Sequence, residues 1–507
     1  MRRRSLRLLL VVGLFAGLIP AASATALNTT AAEEPGAVHS DNMAHVANLE
    51  YAARHGNNKN QGTDIEFIDI DVTDQPGAVA AGTTGLRNYS LAGSYNNGLQ
   101  IVDITDPENP AIVGVYDCGI SQGDVQVFTR DIEGVVHTYA TYTWDTGYSG
   151  AGASACFTEA REIGFGRATE GTFIADISDP YNPVTVSYIK VPKGSHNGTV
   201  HPSGNYFYNS NSELITNARS AAIEVYDIRD FLNPEQVATI AISPRPGLGT
   251  DSHDITFNTA GDRAYSAALS QGLIIDTTDP AKPVLLTSFV DPAINVWHQS
   301  DPVSVKDKTT GMEREFLVVE DEVAGATGTG QCPNGGVHVY DITDQLELAP
   351  VKVGYWNIDQ ARTFATGYSC TAHVFDIHDD VDMMTIAYYQ GGVHVVDLSG
   401  LVGVALGTQG VGMKQLGFYY FEDKAAGARA SDTWAVKAPK MTREGSFYMY
   451  GNDQNRGFDV YRFDNAAPAT TEVGRWMTPG QALAMTKSLK TSGFKLGKPF
   501  CLLGDKV

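Results

Sequence analysis

The chain has few cysteines, few basic residues and no second long apolar run. Its five cysteines, Cys118, Cys156, Cys332, Cys370 and Cys501, are widely spaced, and no CxxC or CxxH pair offers a thiolate zinc site. Lys and Arg number 36 against 58 Asp and Glu, a formal charge of −22 over 507 residues. A surface of that sign repels phosphate backbones and anionic lipid, so we expect no nucleic-acid partner. Beyond the first twenty or so residues no apolar run is long enough to cross a bilayer, and we expect no transmembrane segment. The nucleophile elbow G-x-S-x-G, the P-loop, H-E-x-x-H and the dinucleotide fingerprint are all missing, and "GNDQNRGFD" lacks the terminal Glu of a calcium loop. A hydrophobic content of 43% with 19% charged residues remains that of a globular protein.

The chain opens with "MRRRSLR", then the apolar "LLLVVGLFAGLIP", then the small-residue stretch "AASATA". That order predicts a signal peptide over 1–26, cleaved near Ala24 or Ala26; a retained anchor is the alternative. The expectation is a secreted, extracellular protein able to form disulfides.

One segment recurs along most of the rest. "GLQIVDITDPENPAIVGVY" starts at Gly98, "TFIADISDPYNPVTVSYI" at Thr172, "AIEVYDIRDFLNPEQVATI" at Ala222, "GLIIDTTDPAKPVLLTSF" at Gly272 and "GVHVYDITDQLELAPVKVGYW" at Gly336. Weaker copies start at Gly392 and Gly457. Each alternates apolar and polar residues, breaks at Asp-Pro or Asn-Pro, and resumes with β-branched residues: strand, turn, strand. Two further β-rich runs precede each copy, as in "SHDITFNTAGDRAYSAAL". Seven units of four strands predict an all-β fold, a seven-bladed β-propeller with four-stranded blades. The "GLxIVDIxDPxxP" core resembles the LVIVD-repeat family of β-propellers; this resemblance implies the same fold and says little about activity. The propeller is expected over 63–476, between a polar N-terminal extension at 27–62 and a C-terminal tail at 477–507.

Aligned on "SHDITF", the start of the innermost strand is filled in turn by Thr63, Gly123, His196, His253, His298, His373 and Trp434. Inner strands line the channel and start at one mouth, so His196, His253, His298 and His373 form part of a ring around the axis. Neutral imidazole is a common transition-metal ligand, and an all-imidazole set suits iron, copper or zinc. Without a metal the four would form a pH-sensitive polar cluster. His201 and His378 fall in turns at the far end of the strand and are expected at the surface; His338 and His394 are expected to be packing or surface residues.

Glu320, Asp321 and Glu322, and likewise Asp124 and Asp254, reach the same mouth as candidate acid–base or orienting groups. Strand alternation is expected to turn Asp254 away from the channel. Trp144, Trp297 and Tyr368 are candidate pocket aromatics, and Gln299 follows His298. Long loops at 145–171, 211–220, 323–335, 243–252 and 357–371 gather on this face, where Cys118–Cys156 and Cys332–Cys370 are expected to staple them. The reading is an exported metal-dependent oxidoreductase acting on a small-molecule or glycan substrate. The alternatives are a non-enzymatic protein- or glycan-binding propeller and a metal-dependent lyase.

Overall fold

The recurring Asp at the end of each third strand makes its turn by a local bond. Asp103 accepts the amide of Thr105, Asp176 that of Ser178, Asp227 that of Arg229, Asp276 that of Thr278, Asp341 that of Thr343 and Asp397 that of Ser399. This Asx turn is the physical content of the repeated "DITDP". A bulge in the third–fourth strand pairing follows it in each of these six units and adds twist.

In the computed structural model, residues 34–465 are described apart from 56–57, 146–149, 151, 192–193, 212–220, 246–247, 308–309, 324–334, 363, 365–368, 404–411 and 424–428. They form seven antiparallel sheets, the blades of a β-propeller. The inner strands of blades 1 to 7 are Gly62–Asp71, Gln122–Ile132, Asn197–Val200, Asp254–Phe257, Trp297–Lys306, His373–His378 and Thr433–Lys437. Each packs beside the next, and the seventh packs against the first, which closes the ring around a channel.

Two strands come from the segment expected to lie outside the propeller. Met43–Leu49 pairs antiparallel with Gly457–Asp464 and supplies the outer strand of blade 7. Ala37–His39 adds a fifth strand to blade 6 by pairing with Lys414–Phe421. The boundary at 63 therefore does not mark the start of the propeller sheets. "MAHVANL" carries no Asp-Pro turn, and its partner is some 400 residues away in sequence. The expected outer strand of the last repeat, near 469–476, lies outside the described residues, as does the tail at 477–507.

A relay of hydrogen bonds runs round the inner ring, one step per blade. Thr63 donates to the Gly123 carbonyl, and Asp124 accepts the Gly198 amide. Thr199 donates to the Ile255 carbonyl, and Thr256 to Asp301. Gln299 both donates to and accepts from the Phe375 backbone. Asp376 accepts the Ala438 amide, and Lys437 donates to Glu66. His201 and His378 belong to this stitching and not to the open surface: His201 Nε2 donates to the Gly261 carbonyl at 2.8 Å, and His378 Nε2 to that of Ala438 at 2.9 Å.

Candidate metal centre

The four histidines sit where the inner strands depart from regular pairing. His298 and Gln299 occupy a register break between Trp297 and Ser300, and a second break follows His373. His196 and His253 lie one residue ahead of their strands, their amides bonded to the carbonyls of Ser210 and Ala267. Bulges of this kind re-aim side chains. All four rings are almost wholly buried, at 0–3% exposure. Successive centroids are 4.2, 4.0 and 4.3 Å apart from His196 through His253 and His298 to His373.

Every Nδ1 in the set has an acceptor. His196 Nδ1 donates to Asp145 at 3.0 Å and His298 Nδ1 to Glu320 at 2.7 Å. His253 Nδ1 donates to the His298 carbonyl at 3.1 Å and His373 Nδ1 to the Trp434 carbonyl at 2.5 Å. A carbonyl can only accept, so the hydrogen of neutral His253 and His373 belongs on Nδ1; with Asp145 and Glu320 ionised the same holds for His196 and His298, and Nε2 carries the lone pair. His196 Nε2 and His253 Nε2 then stand 2.8 Å apart. Two lone pairs at that distance repel unless a proton or a metal ion lies between them. Burial first, then the neighbouring imidazoles, hold His253 and His373 well below the ordinary histidine value. Burial lowers His298 as well, against the opposing pull of Glu322. Protonation is thus the costly solution.

Glu322 completes the set. Its Oε2 is 3.7 Å from His298 Nε2 and its Oε1 3.8 Å from His373 Nε2, while Tyr389 donates to Oε1 at 2.7 Å. The ligand atoms of His298, Glu322 and His373 lie within 4.8 Å of one another. His373 Nε2 is buried with no hydrogen-bond partner.

Alternation along the second strand of blade 5, Glu313–Asp321, sorts the three acids at its end. Glu320 and Glu322 share the histidine side. Asp321 points the opposite way and accepts the amides of Asn295 and Val296, both at 2.9 Å, so it does not join the histidines. Burial pushes Glu320 well above its ordinary value and Asp321 up to about 7. Asp124 spends its carboxylate on Gly198 and borders the channel without touching a histidine ring. Asp254 also borders the channel, contrary to expectation. In a propeller, alternation divides the inner strand's side chains between the two neighbouring blades, and both sets edge the channel.

Asp145 and Gln122 were not anticipated. Asp145 ends a neighbouring blade's second strand, which the inner-strand alignment does not sample. Gln122 brings its amide nitrogen 3.3 Å from His196 Nε2. It precedes Gly123, and both have left-handed φ, 76° and 68°. A Cβ on Gly123 would lie 2.7 Å from the Tyr142 hydroxyl oxygen, which explains the absence of a histidine from blade 2. In blade 7, Trp434 packs its ring 4.8 Å from that of His373.

Cys118 and Cys156 form a disulfide across 38 residues, tying the loop before blade 2 to the helix Ala155–Glu162 on its crown. Cys370 is disulfide-bonded as well; Cys332, its expected partner, lies outside the described residues, as do Tyr368 and Cys501. Trp144 anchors that helix through Phe157, and Trp297 packs between Phe289 and Tyr340; neither borders the channel cavity. His338 and His394 are buried packing residues.

Seven blades around a channel, with imidazoles and a carboxylate gathered at one mouth, define a β-propeller with a candidate metal-binding group. The LVIVD repeat model matches residues 88–118, and the chain fits the LVIVD-repeat propellers. A comparison with curated proteins gives no match. Among solved structures, the β-propeller domain of Myceliophteria thermophila Cps50 (Swd1) is 9% identical, covering 79% of this chain and 96% of that one, with a TM-score of 0.41. Kuenenia stuttgartiensis hydrazine synthase is 13% identical, covering 75% and 93%, also at 0.41. A functionally unknown protein from Desulfotomaculum acetoxidans is 15% identical, covering 62% and 80%, at 0.37. No helix among the described residues is long and apolar enough to cross a membrane.

Proposed function

We propose that this propeller is an exported metalloprotein whose ion is held by Nε2 of His196, His253, His298 and His373 with Glu322 alongside, and that it carries out oxidoreductase chemistry there. The observation that carries the reading is the uniform use of Nδ1. Four rings from four consecutive blades are each oriented by an acceptor, as metal-bound histidines are, and each is left with its Nε2 lone pair. Imidazoles with one carboxylate suit iron first, then copper or zinc. Such an ion would supply redox or Lewis-acid chemistry. The protein's part would be to orient the rings through Asp145 and Glu320, hold Glu322 through Tyr389, and keep bulk water away by burial. The leader and the disulfide-bonded Cys118, Cys156 and Cys370 support export.

The test is elemental analysis of protein purified without chelator, and of metal-free protein reconstituted with iron, copper or zinc. About one ion per chain is expected, lost in His253→Ala and His373→Ala while far-UV circular dichroism stays unchanged. A folded wild-type chain that takes up none of the three at stoichiometric level would remove the metal centre, and the oxidoreductase reading with it.

A further inference from the structure

The channel beyond the histidines holds an open cavity of about 320 Å³. That is room for about ten waters. His253, His298 and His373 border it at one end, and acidic side chains border it farther along. Some of those acids are neutralised. Lys437 Nζ lies 3.1 Å from Asp64 and 2.7 Å from Glu66, and Asp376 accepts from His378 and the Ala438 amide.

Asp124, Asp254 and Asp301, from blades 2, 4 and 5, are different. They accept hydrogen bonds from Gly198, Ile255, Thr256 and Gln299, all uncharged groups, and among the described residues no Lys, Arg or His stands at ion-pair distance from them. Burial raises Asp124 well above its ordinary value and Asp301 to about 7, and the more distant Lys437 offsets this only in part. The cavity is thus short of positive charge on one side. His373, whose buried Nε2 has no hydrogen-bond partner, also borders the cavity.

The uncompensated acids do not suit a bare metal ion. Hard cations need six to eight oxygens converging at about 2.3–2.6 Å. Among the described residues the one His, Cys, Asp and Glu group whose ligand atoms converge is His298, Glu322 and His373, and these three aspartates are not in it. Carboxylates spread around a channel wall instead match a cation with a body: a small organic amine.

We infer that the cavity is a binding pocket for a small organic ammonium ion, its charged end among Asp124, Asp254 and Asp301 and its other end beneath His253 and His373. The amine's role as substrate rests on the metal centre proposed above; its binding rests on the cavity alone.

Titration calorimetry with n-butylamine, and with n-butanol as its uncharged counterpart, tests this on metal-free and iron-loaded full-length protein at pH 7. Butylammonium should bind both forms, with butanol weaker by about tenfold or more, the scale of one charged hydrogen bond. Asp301→Asn and, as a second variant should the first fold poorly, Asp124→Asn should each weaken butylammonium about tenfold. His196→Ala, at a proposed metal ligand that does not line the cavity, should abolish iron uptake and leave butylammonium binding to the metal-free protein in place. Equal affinity for amine and alcohol, no binding to folded protein, or displacement of the amine by stoichiometric calcium would each overturn the inference. If the chain takes up no metal yet still binds butylammonium, the metal centre falls and the pocket stands. If it takes up metal but does not bind butylammonium, the pocket falls and the centre stands.

Discussion

At the scale of single residues, Asp321 shows how far a two-residue spacing decides chemistry. Its neighbours on either side serve the histidines, while Asp321 receives two amides of the loop before blade 5. Its pKa rises from the ordinary carboxylate value to about 7 through burial. A group raised on folding lends stability that is complete below its unfolded value near pH 4 and is lost as pH climbs through its folded value. Asp321→Asn keeps the oxygen that receives both backbone amides, and turning over the Asn295 amide, whose Nδ2 donates to Asp321 Oδ2 at 3.2 Å, lets its unpartnered Oδ1 accept the new amide hydrogens. The variant should therefore match or trail wild type at pH 4 and gain on it progressively up to pH 8. Melting temperatures across that range read the effect, and a difference that does not change with pH would refute it.

The histidine ring was legible because equivalent positions in a repeat share one radius and height. Its partners were less so. Asp145 and Gln122 both come from blade 2, whose own ring position is occupied by Gly123, and Gln122 and Gly123 are consecutive residues with left-handed backbone. Glu320 and Glu322 could have been separated from Asp321 by alternation alone, since the period of a strand is known before its neighbours are.

At the scale of elements, the join between blade 7 and the amino-terminal strand is held by a buried charge network. Arg456 is fully buried; it pairs with Asp459 through Nε and Nη2 and with Glu34 through Nη1 and Nη2. Asp459 also receives His45 and Asn48 from the closing strand. Asp459→Ala would leave the guanidinium with half its counter-charge and remove both bonds to that strand. Removing one partner of a buried pair costs about 3–5 kcal/mol. Urea denaturation should show a loss of that order, and a loss under 1 kcal/mol would mean that Glu34 alone suffices. The crown of blade 2 offers a parallel case: Cys118→Ala with Cys156→Ala opens a 38-residue loop. A cost of about 2–4 kcal/mol is expected, with the metal content of the purified protein unchanged. The closing strand itself was not legible, because nothing near "MAHVANL" marks its partner, whereas an Asx turn marks the last hairpin of six of the blades.

At the scale of the whole molecule, charge acts on stability, and the metal proposed above would act with it. A chain of formal charge −22 repels itself when folded. Its melting temperature should rise between about 10 and 150 mM monovalent salt, as the screening length falls from about 30 to 8 Å. A ligand that binds only the native state stabilises it by about 2.7 kcal/mol at a hundredfold excess over Kd. Iron-loaded protein should therefore melt above the metal-free form. That gap should narrow only well below pH 6.5, because burial lowers His253, His298 and His373 and protons compete for their lone pairs only there. Differential scanning calorimetry at three pH values separates the two effects; a gap that does not move with pH would place the ion away from the histidines.

The closing strand also constrains the order of events during synthesis. Met43–Leu49 is made first among the sheet strands of blade 7, yet the strand it completes, Gly457–Asp464, is made last. Six blades can be assembled while the seventh has neither its inner strands nor a partner for its outer one. The molecule's longest loop closure is thus its final one, a slow step by contact order. Until the inner strand of blade 7, Thr433–Lys437, docks, blade 6 has no neighbour to offer the Trp434 carbonyl to His373. The fourth imidazole is then unoriented, so the metal uptake proposed above would wait until the last blade has begun to pack.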